Sequence, residues 1–369
     1  MDVYPIVFEP LYKQKIWGGR KLETLLGKAL PPGERIGESW EVADLESEQS
    51  KVTSGPAKGK TLEDLLQEWG PKLTGRAPLC NGRFPLLVKF LDVSESLSIQ
   101  VHPDDAAAQR LGPPAQAKNE AWYVIEAPPG GYIYRGVLQG VTESDLRTSV
   151  SRGDIESLLL RVPVGKGKCY YLPGGTIHAI GPGLTLAEVQ TPSDTTYRLF
   201  DWNRRDPSTG GPRELHVEQA LACTSYAPPP ARMEHPEHLA SVWTSITSLV
   251  RTPWFVIERV RMAAGVELLI PHQEMVIWIV LEGRGSILHE GLSLPTLFAK
   301  GDTVVIPAGL RKGRVQTGEP CMWLEVTVPI ASSLAGFSRP DRSWLAQSGG
   351  ERDQYVPLRV PPKSGKRRP

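Results

Sequence analysis

The chain has 369 residues, 40% of them hydrophobic, and its 42 Lys and Arg nearly cancel its 41 Asp and Glu, for a formal charge of +1. That length can bury a sizeable core in two domains, and the balance excludes a nucleic-acid-binding field or an acidic, solvating chain. Four scattered cysteines without a CxxC pair, an acidic start with no apolar leader, and no run near the ~20 apolar residues of a membrane helix exclude three further classes: a disulfide scaffold, a secreted chain and a membrane chain. A soluble, cytoplasmic protein with reduced thiols is expected.

Thirty-six Gly and 34 Pro are spread along the chain, the pattern of many turns between short strands. Residues 1–60 hold short apolar runs broken by these residues. Thr61–Trp69 reads as a helix capped by Thr61 and Asp64, with Leu62, Leu65, Leu66 and Trp69 on one face. Phe84–Leu91 reads as an apolar strand whose only charge is Lys89. Strands follow at Leu97–His102, Ala121–Glu126 and Gly131–Tyr134. A helical stretch runs from Thr142 to Leu160 with a break at Gly153. Strands resume at Lys168–Leu172 and Leu184–Gln190, Arg213–Cys223 reads as a short helix, and Tyr226–Pro230 as a linker.

Gln100 and His102 stand two apart in a strand, so their side chains share a face. Glu120 and His178 follow in strand-like contexts, the latter after the turn Pro173-Gly174-Gly175. An amide oxygen, two imidazoles and a carboxylate suit a divalent metal held inside a β-barrel. Singly, each has a bland reading: His102 as a satisfied core or surface histidine, Glu120 as a solvated strand-end charge. Their joint placement favours the metal. Lys118 and Ser98, each two residues before a candidate ligand, would set an ammonium and a hydroxyl beside it. Asp194 and Arg198 flank an extended segment just downstream, either as a surface salt bridge or as groups at the barrel mouth. Such a cavity suits a small, oxygen-rich anion, of which a sugar phosphate is one. Gly18-Gly19 is too short a signal to be a phosphate loop.

A weak internal repeat sets the architecture. Gly167–Gly175 resembles Gly301–Gly309, and Trp122–Glu126 resembles Trp278–Glu282. These are marks of the cupin barrel. The expected fold is mainly β, two cupin-like jelly-roll barrels with a few short helices. Residues 1–230 would form the catalytic barrel with an N-terminal extension and a helical insert, 231–335 a second barrel, and 336–369 a partly disordered basic, Pro-rich tail. Sliding the second barrel onto the first sets Ile270, His272, Val276 and Lys312 at Gln100, His102, Glu120 and His178, so the second barrel is expected to be metal-free.

The residues also resemble a known family, the type I mannose-6-phosphate isomerases (phosphomannose isomerases), zinc-dependent cupins. Trp17-Gly18-Gly19, Ile36–Glu41, Phe84–Leu91, Leu97–Asp105, Lys118–Tyr123, Pro173–Gly181 and Ser193–Trp202 carry the resemblance, which spans about residues 5–330. It is similar to the compact bacterial form, since Glu120 and His178 lie too close for an extra helical domain. Ala117-Lys118-Asn119-Glu120 departs from a Gly-Lys-Thr-Glu-like run, leaving Lys118 and Glu120 intact. The resemblance implies one Zn2+ per chain on Gln100, His102, Glu120 and His178. It also implies that Arg198 is an active-site cation, with Asp194, Lys118 and Ser98 lining the substrate site. It implies interconversion of mannose 6-phosphate and fructose 6-phosphate through a cis-enediol, with charge on the enediolate shared by metal and Arg198. The base stays open: Lys118 ranks ahead of Asp194 on position, and a metal-bound water is a rival. A monomer with no nucleic-acid or membrane partner is expected. Two other classes compete, a sugar-binding cupin whose activity has lapsed and an iron cupin oxygenase. The latter would want a third histidine where Gln100 stands.

Overall fold

The computed structural model describes residues 2–206, 210–229, 237–290 and 294–330; the tail expected beyond 335 lies outside them. A short strand, β1 (Ile6–Val7), precedes two sets of strands. The first set is β2 (Leu11–Gly19), β3 (Ile36–Val42), β4 (Leu87–Val93), β5 (Ile99–Val101), β6 (Glu120–Glu126), β7 (Tyr132–Val137), β8 (Leu159–Pro163), β9 (Cys169–Leu172), β10 (His178–Ile180), β11 (Leu184–Gln190) and β12 (Tyr197–Phe200). The second is β13 (His238–Ala240), β14 (Thr244–Arg251), β15 (Val256–Met262), β16 (Glu267–Leu269), β17 (Val276–Glu282), β18 (Arg284–Leu288), β19 (Thr296–Ala299), β20 (Thr303–Ile306), β21 (Arg314–Thr317) and β22 (Cys321–Thr327).

The two sets share one topology. The larger sheets run β2-β3-β4-β11-β6-β9 and β13-β14-β15-β22-β17-β20, the latter extended by β1. The smaller run β5-β10-β7-β8 and β16-β21-β18-β19, and the first of these gains β12 at its edge. Each set is thus a double-sheet roll of antiparallel strands. The N-terminal β1 pairs with β20, Ile6 opposite Val305, so the start of the chain closes an edge of the second set rather than the first. A single apolar cluster joins Ile36, Val88 and Phe90 to Ile257, Ile277 and Leu324.

Helices are few: α1 (Lys21–Leu26), α2 (Leu62–Trp69), α3 (Pro71–Thr74), α4 (Asp105–Leu111), α5 (Glu143–Arg152) and α6 (Val217–Cys223). Thr61 and Asp64 form a reciprocal capping box on α2, whose Leu62, Leu65 and Trp69 are buried. α5 ends at Gly153 in the left-handed region, and a 3-10 turn follows at Ile155–Leu158. Leu146 of α5 and Ala220 and Leu221 of α6 pack with Ile99, Val101 and Ala179 on the outer face of the smaller first sheet. The expected helix Arg213–Cys223 starts only at Val217. Before it, Arg213 binds Asp201 and the Glu214 carbonyl accepts from Arg198, so side-chain demands hold that stretch out of helix. No helix among the described residues is long and apolar enough to cross a membrane.

Candidate metal centre

Across the smaller first sheet, His178 stands opposite Gln100 on one side and Arg135 on the other, and Gln100 stands opposite Arg198. Directly paired residues project to one face. Ile99, Val101, Ala179 and Leu199 pack the outer, helix-covered face, so Arg198, Gln100, His178 and Arg135 form a row on the inner one. His102 follows β5, and Asp104 then caps α4 through Ala107 N (2.7 Å). The turn before His178 fits against this corner because it is made of glycine. A Cβ on Gly174 would lie 2.6 Å from the Pro103 oxygen, and Gly175 N donates to the His102 carbonyl (2.7 Å). Glu120 enters from the larger sheet as the first residue of β6.

There the three groups meet. His102 Nε2 lies 3.3 Å from Glu120 Oε2 and His178 Nε2 3.3 Å from Glu120 Oε1; one ligand atom from each residue falls within 4.8 Å of the others. All three side chains are at most 2% exposed. Each imidazole donates from Nδ1 to a carbonyl, His102 to Thr195 O and His178 to Thr176 O, both at 2.8 Å. A carbonyl only accepts, so these bonds fix the tautomer and turn each Nε2 lone pair inward. Neither Nε2 nor either Glu120 oxygen makes a hydrogen bond within the protein. Burial, reinforced by the Lys118 charge, pulls the His102 imidazole down to about 3, and burial lowers His178 too. Burial works against charge on Glu120, but the Lys118 ammonium holds it well below the usual carboxylate range. Two neutral imidazoles and one carboxylate, buried and aimed at a common point, fit a divalent cation.

The other candidates surround this point at different depths. Lys118 precedes β6 rather than lying in it, yet Nζ reaches within 2.9 Å of Glu120 Oε2. Ser98 is buried just before β5. Arg198 gives one hydrogen bond from Nη1 to Glu214 O (2.8 Å), and its buried Nε has no partner. Arg204 and Arg213 instead converge on Asp201, so the Arg198 guanidinium is not consumed by a carboxylate. Asp194 is exposed, outside the His–Glu–His cluster.

The sequence reading did not assign a second group on the same wall. Lys89 Nζ lies 3.3 Å from Glu188 Oε1, 3.7 Å from Glu38 Oε2, and 4.9 Å over the Trp40 ring. Trp122 Nε1 donates to Glu188 Oε2 (2.9 Å) and the Trp122 ring meets His178 edge-on at 5.3 Å. Burial would strip the Lys89 proton, but Glu188 and Glu38 raise its pKa above the lysine range, so it is a fixed cation. Burial and the Glu120 charge raise Glu188. The signal was a lone charge in an apolar strand, at Lys89 and at Glu188.

Strand register corrects the alignment of the second barrel. Leu268 pairs with Val315 where Gln100 pairs with His178, because the loops before β16 and β21 differ in length from those of the first barrel. The positions of Gln100, Glu120 and His178 thus carry Leu268, Val276 and Val315, none of which can donate to a metal. Lys312 instead pairs with Glu290 at the surface, and His272 binds Glu325, at 2.6 and 2.9 Å.

A sequence model described as the catalytic domain of type I phosphomannose isomerase matches residues 6–126. The chain is 35% identical over 323 residues to mannose-6-phosphate isomerase ManA of Bacillus subtilis, covering 87% of this chain and 99% of that protein. It is 36% identical over 310 residues to the mannose-6-phosphate isomerase of Streptococcus mutans, covering 81% and 92%. The crystal structure of the Bacillus subtilis mannose 6-phosphate isomerase superposes with a TM-score of 0.78 at 33% identity over 87% of this chain and 99% of that one. A putative mannosephosphate isomerase from Archaeoglobus fulgidus, at 21% identity and a TM-score of 0.69 over 89% and 99%, shares the fold.

Proposed function

This chain belongs to the type I phosphomannose isomerase family and interconverts mannose 6-phosphate and fructose 6-phosphate; we propose that it does so at Gln100, His102, Glu120 and His178 with one zinc ion per chain. The observation that carries the assignment is the buried meeting of two inward Nε2 atoms, neither hydrogen-bonded within the protein, with the Glu120 carboxylate, whose Oε2 also faces the Lys118 ammonium. Gln100, opposite His178 in register, supplies the fourth donor. Two nitrogens and two oxygens are a donor set that would suit zinc.

The reaction opens the sugar ring and moves a proton between C1 and C2 through a cis-enediol, leaving C3 to C6 and the phosphate unchanged. Its barrier lies in the weak acidity of the proton and in charge on the enediolate oxygens. Zinc supplies Lewis acidity toward those oxygens when bound. Arg198 stabilises the same charge as a cation that cannot deprotonate, with a buried Nε that has no hydrogen-bond partner within the protein. Lys118 binds substrate oxygens and is the leading candidate to carry the proton, because its ammonium already sits 2.9 Å from a ligand carboxylate oxygen. Deprotonated, it is the base; protonated, it returns the proton to the neighbouring carbon. Asp194 is its rival at the exposed mouth, and Ser98 contributes a hydroxyl to the substrate wall. The same reading has the chain act on a sugar phosphate in the cytoplasm as a monomer, without nucleic-acid or membrane partners.

The test is fructose 6-phosphate formation from mannose 6-phosphate by the zinc-loaded protein, beside a chelated sample and His178→Ala. Turnover should vanish on chelation and return with zinc, and His178→Ala should lower kcat by at least ~100-fold while binding less than one zinc per chain. Zinc bound at full stoichiometry without turnover would leave a sugar-phosphate-binding module instead.

A further inference from the structure

Asn119 separates Lys118 from Glu120 and is itself 7% exposed. Its side-chain oxygen accepts from two donors, the Tyr171 hydroxyl at 3.1 Å and the Gly174 amide at 3.2 Å. A backbone amide can only donate, so the carboxamide orientation is fixed with Oδ1 toward Gly174. Its backbone is clamped as well. Asn119 N donates to Thr191 Oγ1 and Thr191 N donates to Asn119 O, both at 3.0 Å. One residue thus ties together three segments that serve the site. They are the edge strand β9 at Tyr171, the glycine turn that delivers His178, and the exit from β11 that leads to Asp194 and Arg198.

The second barrel tells whether this hub belongs to the fold or to the site. Glu120 pairs with Leu172 and Gln190 as Val276 pairs with Ile306 and Thr327. Counting from those pairs, Asn119, Tyr171, Gly174 and Thr191 correspond to Met275, Val305, Ala308 and Val328. Met275, Val305 and Val328 are buried in the shared apolar cluster. The same strand topology therefore closes with apolar side chains at three of the four corners, and at the fourth the Ala308 amide donates to Leu73 O (3.0 Å) instead. Polar side chains stand at these corners in the barrel with the inward His, Glu and His, and apolar ones replace them in the other. Burying a four-cornered hydrogen-bond network where an apolar one suffices is costly unless its geometry is used.

We infer that Asn119 is a positioning residue. It holds Glu120 in register with the turn that carries His178, and so sets metal affinity. The inference rests on the zinc-site reading above. It predicts that the hub acts through the ligand cage rather than through substrate binding, so zinc affinity and kcat should respond together while KM stays put.

The experiment compares wild type with Asn119→Met, which installs the residue of the second barrel, and Tyr171→Phe, which deletes one of the two donors. Zinc dissociation constants come from chelator competition, kcat and KM for mannose 6-phosphate from steady-state assays, and melting temperatures from the metal-free proteins. Asn119→Met should weaken zinc binding and lower kcat by about 10–100-fold each, the range for residues that orient metal ligands. Its KM should stay within about twofold, and Tyr171→Phe should fall between it and wild type. Melting temperatures that drop while zinc affinity and kcat stay within about twofold in both variants would overturn the inference and leave a purely structural hub. If Asn119→Met fails to fold, Tyr171→Phe decides: weakened zinc binding supports the role and unchanged binding refutes it. Wild type that binds zinc without turnover would sink the isomerase assignment alone, since the affinity comparison still judges Asn119.

Discussion

Lys89 is an ammonium, 4% exposed, in a strand that otherwise looks purely apolar. It offsets two carboxylates, Glu188 and Glu38, and Glu38 is held down to about 2 against its burial by Lys89 and Lys15. Replacing it with Met strands those charges, so Lys89→Met should lose about 3–5 kcal/mol in urea unfolding, the cost of breaking a buried ion pair from one side. A loss under about 1 kcal/mol would mean the carboxylates find water or protons instead. The candidate ligands Gln100 and His102 were more legible than this pair. Gln100 and His102 sit two apart, and a strand puts such residues on one face whatever the tertiary structure. Lys89 and Glu188 lie about a hundred residues apart in sequence, and a lone charge in an apolar strand reads equally as an edge position. Only pairing of β4 with β11, Lys89 opposite Glu188, brings the two together.

At the scale of elements, local chemistry predicted well where it was self-contained. The α2 capping box involves four consecutive residues, and Thr61 and Asp64 make both of its bonds. Trp17-Gly18-Gly19 was opaque for the opposite reason. Its glycines do not cradle a ligand. A Cβ on Gly18 would lie 2.4 Å from the Gly37 nitrogen, so β2 and β3 approach there more closely than side chains allow. Asp92 takes the Lys21 amide at 2.6 Å against Gly19. Gly18→Ala should therefore destabilise the fold by about 1–3 kcal/mol, the range for overpacking, measured by chemical unfolding of the metal-free protein. Unchanged stability would show that the strands can part without penalty. Lys118 illustrates the same limit, since its position two before Glu120 suggested a shared strand, whereas its amide bonds Pro103 O and the strand begins at Glu120.

For the whole molecule, the shared apolar cluster couples the barrel with the His–Glu–His cluster to its neighbour. On the zinc-site reading proposed above, the metal would be held in the folded state by residues from both sheets, so chelation should lower the melting temperature, and added zinc should restore it in a concentration-dependent way. At a hundredfold excess over Kd the stabilisation is about 2.7 kcal/mol. A melting temperature indifferent to zinc would place any bound metal outside the fold's linkage. The second barrel carries its own pH dependence. Burial opposes charge on His272, but Glu325, 2.9 Å away, and Glu258 raise its pKa above the histidine value. A raised folded-state pKa favours folding below the unfolded value of ~6.5 and loses that contribution as pH rises through the folded one. As pH rises above the unfolded value, wild type should therefore lose stability relative to His272→Gln in chemical unfolding. Parallel curves would remove His272 from the linkage.

Much of this protein was set by sequence alone. The two-barrel repeat, the Gln100–His102 spacing, the α2 cap and the family resemblance all rest on residues within a strand, a turn or a short spacing, where backbone periodicity decides which side chains share a face. Tertiary structure decided what depends on strands distant in sequence lying side by side. It set the register that gives the second barrel Leu268, Val276 and Val315, the Lys89–Glu188–Glu38 network, the close approach at Gly18, and the clamp of Asn119 on three segments. These follow from pairing across the sheets, and a charge or amide carries no local mark of the partner that the fold will bring to it.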